Sequence, residues 1–436
     1  MPTYYLLNMG CAKNQVEGEH LAGMLLAAGW QGVAQPEEAE LLLVNTCGFI
    51  KPAVEENIAA ILELAEARRP GQRLAVVGCL VGRYGKKLQK SLPEVDLLVG
   101  PGEAARLLEH LASPPAGRLA ISPPREVFGF TAPRALSTGP GWAYLRTSDG
   151  CEHDCAFCTI PRIRGRLRSR PMSDVLAEAQ RLALDGVREI NLVAQDLCSY
   201  GRDLADDSSL EALLPRLASI GALSWVRLLY LSPDSLEKPL IQAMASTPKV
   251  LPYFDLPLQH IADPVLKAMG RRRSGAELRG LLEVIRQAVP GAVLRTTLLV
   301  GHPGEGEAEF TELLEFVVQA GFDHLGCFAY QAEAGTRSAR LPAPTAKVAL
   351  ARRRRIMAAQ KAVSRGKLKA LVGRELPLLV LGPHPESDLL GLGRLARQAP
   401  EVDGEVIITD GQAPPGSIVT CRLTKAHPYD LEAVII

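Results

Sequence analysis

The sequence predicts an α/β chain in three parts: an amino-terminal parallel sheet with crossover helices, a central partial (β/α)6 barrel, and a small carboxy-terminal antiparallel β-barrel. Three observations predict it. Short apolar runs alternate with helix-like stretches over most of the chain, the pattern of parallel strands joined by helices. A segment from Ser113 to Gly141 with six prolines interrupts that alternation. From about Leu368 the helix-like stretches give way to short strand-like runs separated by Gly and Pro, at Leu376 to Leu381, Glu405 to Thr409 and Ile418 to Leu423. The 436 residues are roughly three times the ~150-residue prior for one domain. Boundaries are read as 1–113, a Pro-rich linker at 114–136, 137–367 and 368–436.

The first part carries one pattern three times. The runs Tyr4 to Leu7, Leu41 to Val44 and Leu74 to Val77 suit buried strands, and each is followed within a few residues by a cysteine: Cys11, Cys47 and Cys79. A helical stretch follows each, as from Pro52 to Arg68, where the proline suits a first helical turn. Loops at the carboxyl ends of parallel strands converge on one edge, where ligands bind. Three cysteines at that position, 36 and 32 residues apart, are therefore expected to meet in space. Buried structural cysteines are the plain alternative, since free Cys is among the most buried residue types. A structural zinc ion would want a fourth protein ligand, and neither His20 nor His110 stands at a matching position. A cluster with one open iron is the more economical reading.

The central part opens with the run Trp142 to Leu145 and then DGCEHDCAFCTIP, which spaces Cys151, Cys155 and Cys158 as CxxxCxxC. Three thiolates so close suit a cubane iron–sulfur cluster with one iron lacking a protein ligand, whereas ordinary electron-transfer clusters use four. Zinc would have to recruit His153 or a distant residue. Strand-like runs follow at Ile190 to Val193, Val226 to Leu231, Tyr253 to Leu258, Val293 to Val300 and Leu325 to Tyr330. Helix-like stretches such as Met172 to Asp185 and Gly275 to Ala288 lie between them. Six strands are too few for a closed eightfold barrel, so an open one is expected, with cluster and substrate at its carboxyl-end face.

The cysteine loop with Phe157 before its third cysteine, followed by PRIRGRLRSRP at 161–171, resembles the radical S-adenosylmethionine methylthiotransferases. The resemblance runs through essentially the whole chain: GCAKNQVEGE, NTCGFI and GCL in the first part, VAQDLCSYG, LPLQH and TTLLVGHPGE in the second. It implies an auxiliary 4Fe-4S cluster on Cys11, Cys47 and Cys79 and a radical-generating 4Fe-4S cluster on Cys151, Cys155 and Cys158. It also implies two molecules of S-adenosylmethionine per turnover, one cleaved to an adenosyl radical and one methylating a sulfur carried by the auxiliary cluster. An electron donor such as flavodoxin or ferredoxin, and a sulfur donor, are implied partners. Phe157 and Gln195 are the side chains expected at the cofactor. The last part resembles a TRAM domain, which in the family binds the macromolecular substrate. Two departures stand out: His302 where the family commonly has an aromatic residue, and Glu152 where asparagine is common. Neither is a ligand.

Charge sharpens the substrate. The whole chain balances at +1, so any nucleic-acid contact must come from local patches. Residues 368–436 hold six Lys and Arg against nine Asp and Glu, a net −3. Phosphate neutralisation drives RNA binding, so an acidic barrel better suits a basic protein, and ribosomal proteins are basic. The expected substrate is the β-carbon of an aspartate in small-subunit ribosomal protein S-twelve, rather than an adenosine beside the tRNA anticodon; NTCGFI and GCAKNQVE also resemble the ribosomal-protein branch. A non-catalytic iron–sulfur electron-transfer or scaffold protein is the reading of another class, and the open-site spacing speaks against it.

Arginines 162, 164, 166, 168 and 170, if extended, would line one side and give a basic edge. Arg352 to Arg355 lie in a helical stretch and are expected to spread around it as solvated surface. Cys198, Cys327 and Cys421 lack a partner pattern and are read as structural. The composition, 47% hydrophobic and 22% charged, is that of a globular protein rather than a disordered one. No apolar run reaches the 18 residues of a membrane helix, and MPTYYLLNMGC shows no export signal. Nine cysteines cannot all pair internally, so reduced thiols in the cytoplasm are expected.

Overall fold

Six parallel strands order the amino-terminal sheet as Gln31–Gly32, Thr3–Asn8, Leu41–Thr46, Arg73–Gly78, Leu97–Val99 and Leu119–Ala120 in a computed structural model that describes residues 1–436, the side chain of Asp388 excepted. Every residue of Leu41–Thr46 is buried, as a strand covered by helices on both faces must be. Leu43 and Val77 pack with Leu21 and Leu25 of the helix Ala12–Ala27. Leu42, Val44 and Val76 turn the other way, onto Ile61 of Lys51–Ala67 and Leu88 of Cys79–Ser91. The three strands not singled out in the sequence are only two or three residues long.

One of them, Leu119–Ala120, lies inside the Pro-rich segment. The rest of that segment straps the first helix. A Cβ on Gly23 would come within 2.5 Å of the Pro133–Arg134 backbone. Buried Arg134 lies 2.6 Å from both Glu19 of the first helix and Glu178 of Met172–Leu184, tying the amino-terminal sheet to the next unit.

The central unit has the six strands expected, in two parallel sheets of three: Trp225–Leu228, Glu189–Val193, Trp142–Arg146, and Tyr253–Gln259, Val293–Val300, His324–Ala329. The halves are joined where Leu231 N–H donates to the Asp255 carbonyl (2.9 Å) and where Val226 bridges Val250. Strand alternation then sorts the side chains. Ala143, Leu145, Ile190, Leu192, Val226, Leu228, Phe254 and Leu256 pack against the helices outside. Tyr144, Val193, Trp225 and Tyr253 face inward.

The terminal unit is a closed five-stranded barrel of Glu375–His384, Ser387–Leu395, Val406–Asp410, Leu431–Ile435 and Ile418–Ala426. Its neighbours are antiparallel except Val406–Asp410 with Leu431–Ile435, which run parallel. The loop after Ser387–Leu395 enters the concave side of the central barrel near the strands' amino ends. Arg394 (2.6 Å) and Arg227 (2.9 Å) both hold Glu189. Tyr253 donates to Asp403 (2.5 Å) and Tyr144 to Glu401 (3.0 Å). Burial alone would raise the Glu189 carboxyl, but Arg394 and Arg227 hold it below the usual range. With that end stoppered, the open end is the carboxyl-end face.

The connecting helix Ala346–Lys369 does not carry its arginines as free surface throughout. Arg352 is buried against Glu305 (2.7 Å) and Arg355 pairs with Glu307 (3.1 Å). The acids that neutralise them lie some 47 residues upstream, beyond the reach of a local reading. No helix is long and apolar enough to cross a membrane.

Candidate metal centre

Cys11 caps the first helix, Cys47 follows Leu41–Thr46, and Cys79 opens the helix after Arg73–Gly78. The three loops touch. A Cβ on Gly10 would lie 2.8 Å from Cys47 Cβ, and one on Gly48 would lie 2.7 Å from the Cys79 carbonyl oxygen, so only glycine lets the loops close this far. Asn14 stitches them, donating to the carbonyls of Thr46 (2.8 Å) and Met9 (3.1 Å). Asn57 accepts the Cys47 backbone N–H at 2.9 Å. Cys11 is exposed, Cys47 half-buried and Cys79 buried. Neither histidine considered as a fourth ligand joins them: His20 bonds the Pro133 carbonyl (3.1 Å) and His110 bonds Glu103 (2.9 Å).

Cys151, Cys155 and Cys158 lie on the loop between Ser148–Asp149 and the short helix Ile160–Arg164, all half-buried. Backbone bonds fix the loop: Cys151 N–H to the Gly165 carbonyl (3.1 Å), Ala156 N–H to that of Met269 (2.8 Å), and Ser338 N–H to that of Ala156 (2.9 Å). Gly150 has φ +79°, and a Cβ there would collide with the Arg166 carbonyl. Arg271, paired with Asp234 (3.3 Å), points Nη1 at Cys155 Sγ (3.7 Å). Ile160 N–H donates to Cys158 Sγ at 3.4 Å, as it would to a thiolate ligand. Burial pushes the Cys151 thiol up to about 11 and those of Cys158 and Cys79 up to about 12. Ligation requires each to shed its proton, so metal binding would release protons here.

Among the described residues no three His, Cys, Asp or Glu side chains converge as a single ion would require. A cubane asks for something else: each thiolate binds a different iron, so the sulfurs stand around the cluster rather than meeting at a point. Two cysteine triads, each gathered by loop contacts, have the donor set that such a group needs.

Arg164 links the triads. Its Nε donates to Cys79 Sγ at 3.1 Å and its Nη2 to Glu17 at 2.5 Å and Asn14 at 3.0 Å, while Nη1 lies 3.6 Å from Asp149. Asp149 also accepts from Gln195 Nε2 (2.6 Å) and Arg168 (3.3 Å). Burial alone would raise the Asp149 carboxyl, but Arg164, Arg146 and Arg168 hold it low. The five alternating arginines therefore form no basic edge. Pro161 starts a helical turn and Gly165 (φ +75°) reverses the chain, which buries Arg164 and Arg170 and leaves Arg162 and Arg166 exposed.

Of the residues expected at the cofactor, Gln195 stands beside the cluster loop with its Oε1 buried and unbonded. Phe157 packs on Val265 and Met269 and meets the His302 ring edge-on at 6.0 Å. His302 is buried and bonded to Ser338 Oγ (2.7 Å), whereas Glu152 is exposed. Three arrangements escape the sequence reading. His153, Ser235 and Asp196 form one hydrogen-bonded group, with His153 Nε2 to Asp196 at 2.7 Å. Lys13 sits 3.3 Å over the Tyr230 ring. Arg271 reaches Cys155. Each pairs residues far apart in sequence. Cys327 and Cys421 are buried and Cys198 half-buried.

Residues 3–100 match the family described as uncharacterized protein family UPF0004, residues 145–317 the radical SAM superfamily, and residues 372–436 the TRAM domain. Across nearly its full length the chain is similar to the ribosomal protein uS12 methylthiotransferase RimO of Syntrophobacter fumaroxidans, 46% identical over 99% of this chain and 98% of that one. The chain belongs to the ribosomal-protein branch of the radical S-adenosylmethionine methylthiotransferases. The RimO protein of Myxococcus xanthus is 44% identical over 99% of this chain and 91% of its own. Among solved structures, the methylthiotransferase shares its fold with the radical S-adenosylmethionine methyltransferase TsrM from Kitasatospora setae, solved with cobalamin and a 4Fe-4S cluster. The TM-score is 0.53 at 15% identity, covering 78% of this chain and 77% of that one. The methylthiotransferase is thus an iron–sulfur enzyme that uses S-adenosylmethionine.

Proposed function

We propose that this chain adds a methylthio group to the β-carbon of an aspartate in ribosomal protein S-twelve, using two 4Fe-4S clusters and two molecules of S-adenosylmethionine per turnover. The observation that carries the reading is one buried arginine, Arg164, which follows the central cysteine loop and reaches Cys79 of the other triad and Asp149 beside its own. Its relatives are named uS12 methylthiotransferases, which points to the same substrate.

In this reading Cys11, Cys47 and Cys79 hold the auxiliary cluster, and Cys151, Cys155 and Cys158 the other. Bound, these groups supply radical chemistry, the removal of hydrogen from an unactivated carbon, which no side-chain acid or base performs. The protein's part is position. Arg271 stands beside Cys155 as a counter-charge, Gln195 offers a buried carbonyl oxygen to a donor on the cofactor, and Phe157 walls the loop from the Val265 side. The working units are residues 1–113, the strap 114–136, 137–367, and 368–436, with the last docking the protein substrate. Its acidic excess of three favours a basic partner over a phosphate backbone on the barrel itself. The enzyme works in the cytoplasm with a flavodoxin or ferredoxin as reductant and a separate sulfur donor.

Mass spectrometry of S-twelve and tRNA from cells lacking the gene tests the substrate. Loss of 46 Da (one CH2S) from S-twelve alone supports the reading. An S-twelve mass unchanged by the deletion, together with loss of the methylthio group from tRNA, would overturn it.

A further inference from the structure

The helix Ala346–Lys369 carries nine Lys and Arg and no Asp or Glu, in a chain whose whole balance is +1. Neighbouring elements neutralise only one side of it. Arg352 and Arg355 are taken by Glu305 and Glu307, Lys367 by Asp323 (3.0 Å), and Arg353 donates to the Cys327 carbonyl (2.9 Å). Lys361, Arg365 and Lys369 are exposed, and among the described residues none has a carboxylate partner. Their spacing of four stacks them on one face, where like charges repel. The fold thus holds a row of cations with nothing on the chain to relieve it.

The row lines a groove of about 1050 Å³ against the terminal barrel. Ala362 and Gly366 lie between the cations, and Val372 and Ala426 form the opposite wall, so small residues leave the charges accessible. The segment 368–436 as a whole is net acidic, while the residues that face the cations across the groove, Val372 and Ala426, are uncharged. A row of unpaired cations beside a barrel whose overall balance is acidic suits a partner that presents a polyanion beside a basic protein. A ribosomal protein on its RNA is such a partner; free S-twelve, being basic, would be repelled by the groove. Successive cations rise about 6 Å along the helix, comparable with neighbouring phosphates on an RNA strand, whereas an acidic protein offers carboxylates at irregular spacing.

We propose that the groove between the helix Ala346–Lys369 and the terminal barrel docks the phosphate backbone of ribosomal RNA, so that the enzyme engages S-twelve within a ribonucleoprotein particle. This rests on the S-twelve reading for its biological partner, but the RNA contact is measurable without it.

The test compares the cluster-loaded full-length enzyme with its K361E/R365E/K369E variant. Binding to naked small-subunit ribosomal RNA is measured from 50 to 200 mM salt. The variant's log–log salt slope should be shallower by about three, one per lost phosphate contact. Through those contacts alone the fourfold salt change costs the wild type about 40-fold. Methylthiolation of intact small subunits should fall with the lost affinity, while turnover of free S-twelve and S-adenosylmethionine cleavage stay at wild-type rates. Equal affinity and slope in the two proteins would overturn the proposal. So would a variant that keeps RNA binding but loses turnover with a flavodoxin or ferredoxin, which would assign the groove to an acidic protein. If the wild type modifies neither free S-twelve nor small subunits, the substrate reading fails, and the RNA comparison still decides the groove.

Discussion

Arg164 donates to the sulfur of Cys79 across 3.1 Å, although the two belong to different units and lie 85 residues apart. The short helix that follows one cysteine loop thereby supplies a neighbour to the other triad. The same guanidinium holds Glu17 of the first helix and approaches Asp149 at the mouth of the central barrel. One buried side chain thus spans the two cysteine sites, in addition to the tie that Arg134 makes between the same units.

Replacing Arg164 by Met should separate the sites energetically as well as chemically. Glu17 and Asp149, both buried, would lose their shared cation, and breaking a buried pair costs about 3–5 kcal/mol. The urea midpoint should fall, and iron should be lost first from the amino-terminal triad. Arg164→Lys should recover part of the stability but not the forked bonds to Glu17 and Asn14. A midpoint and iron content equal to wild type would show that Arg164 couples nothing.

Cys155→Ala should take reconstituted protein from about eight iron atoms per chain to about four, because two cubanes carry four each. S-adenosylmethionine cleavage should vanish with them. Cleavage at the wild-type rate in this variant would remove the central triad from the chemistry.

Cys47→Ala should behave differently. Its loop is held by Asn57 through the backbone N–H, which the substitution keeps, so the amino-terminal fold should survive. Cleavage of S-adenosylmethionine should continue while methylthio transfer stops. Product formed at the normal rate would show that the first triad carries no sulfur.

The gathering of the three amino-terminal cysteine loops is legible in the sequence for a topological reason. Cys11, Cys47 and Cys79 follow buried parallel strands, and parallel topology brings such positions to one edge whatever their spacing. The alternating arginines misled because period two also arises across a helical turn and a glycine reversal. Pro161 and Gly165, at the first turn and just past the end of Ile160–Arg164, are the local signal that the segment is not extended. Glu189, Arg227 and Arg394 form a buried triad from two strands and a distant barrel; of the three only Arg227 stands in a strand-like run of the sequence, and nothing local says what neutralises it.

Acid should loosen the seam around Arg134 in two stages. His20 is buried against Phe128, and burial pushes its pKa down to about 3, with Arg134 adding to the effect. His302, also buried, is pushed down to about 4. Both stay neutral in the fold while the unfolded chain takes up protons from about 6.5 downward, so their stabilising contribution is complete above that pH and is lost as pH falls. Each removes about 1.4 kcal/mol per pH unit. Glu178 has the opposite charge but the same direction. Burial alone would raise it, but Arg170 and Arg134 bring it to about 2, so its contribution holds above the unfolded value of about 4.5 and is lost below. Urea unfolding of the cluster-free chain should therefore steepen twice, near pH 6.5 and again near 4.5. His20→Gln should roughly halve the first slope and leave the size of the second increment, which Glu178 supplies, unchanged. Glu178→Gln should lower stability at neutral pH and flatten only the second. A His20→Gln profile identical to wild type between pH 6.5 and 4.5 would mean that His20 is protonated in the folded protein, and the seam would not be the acid-sensitive element.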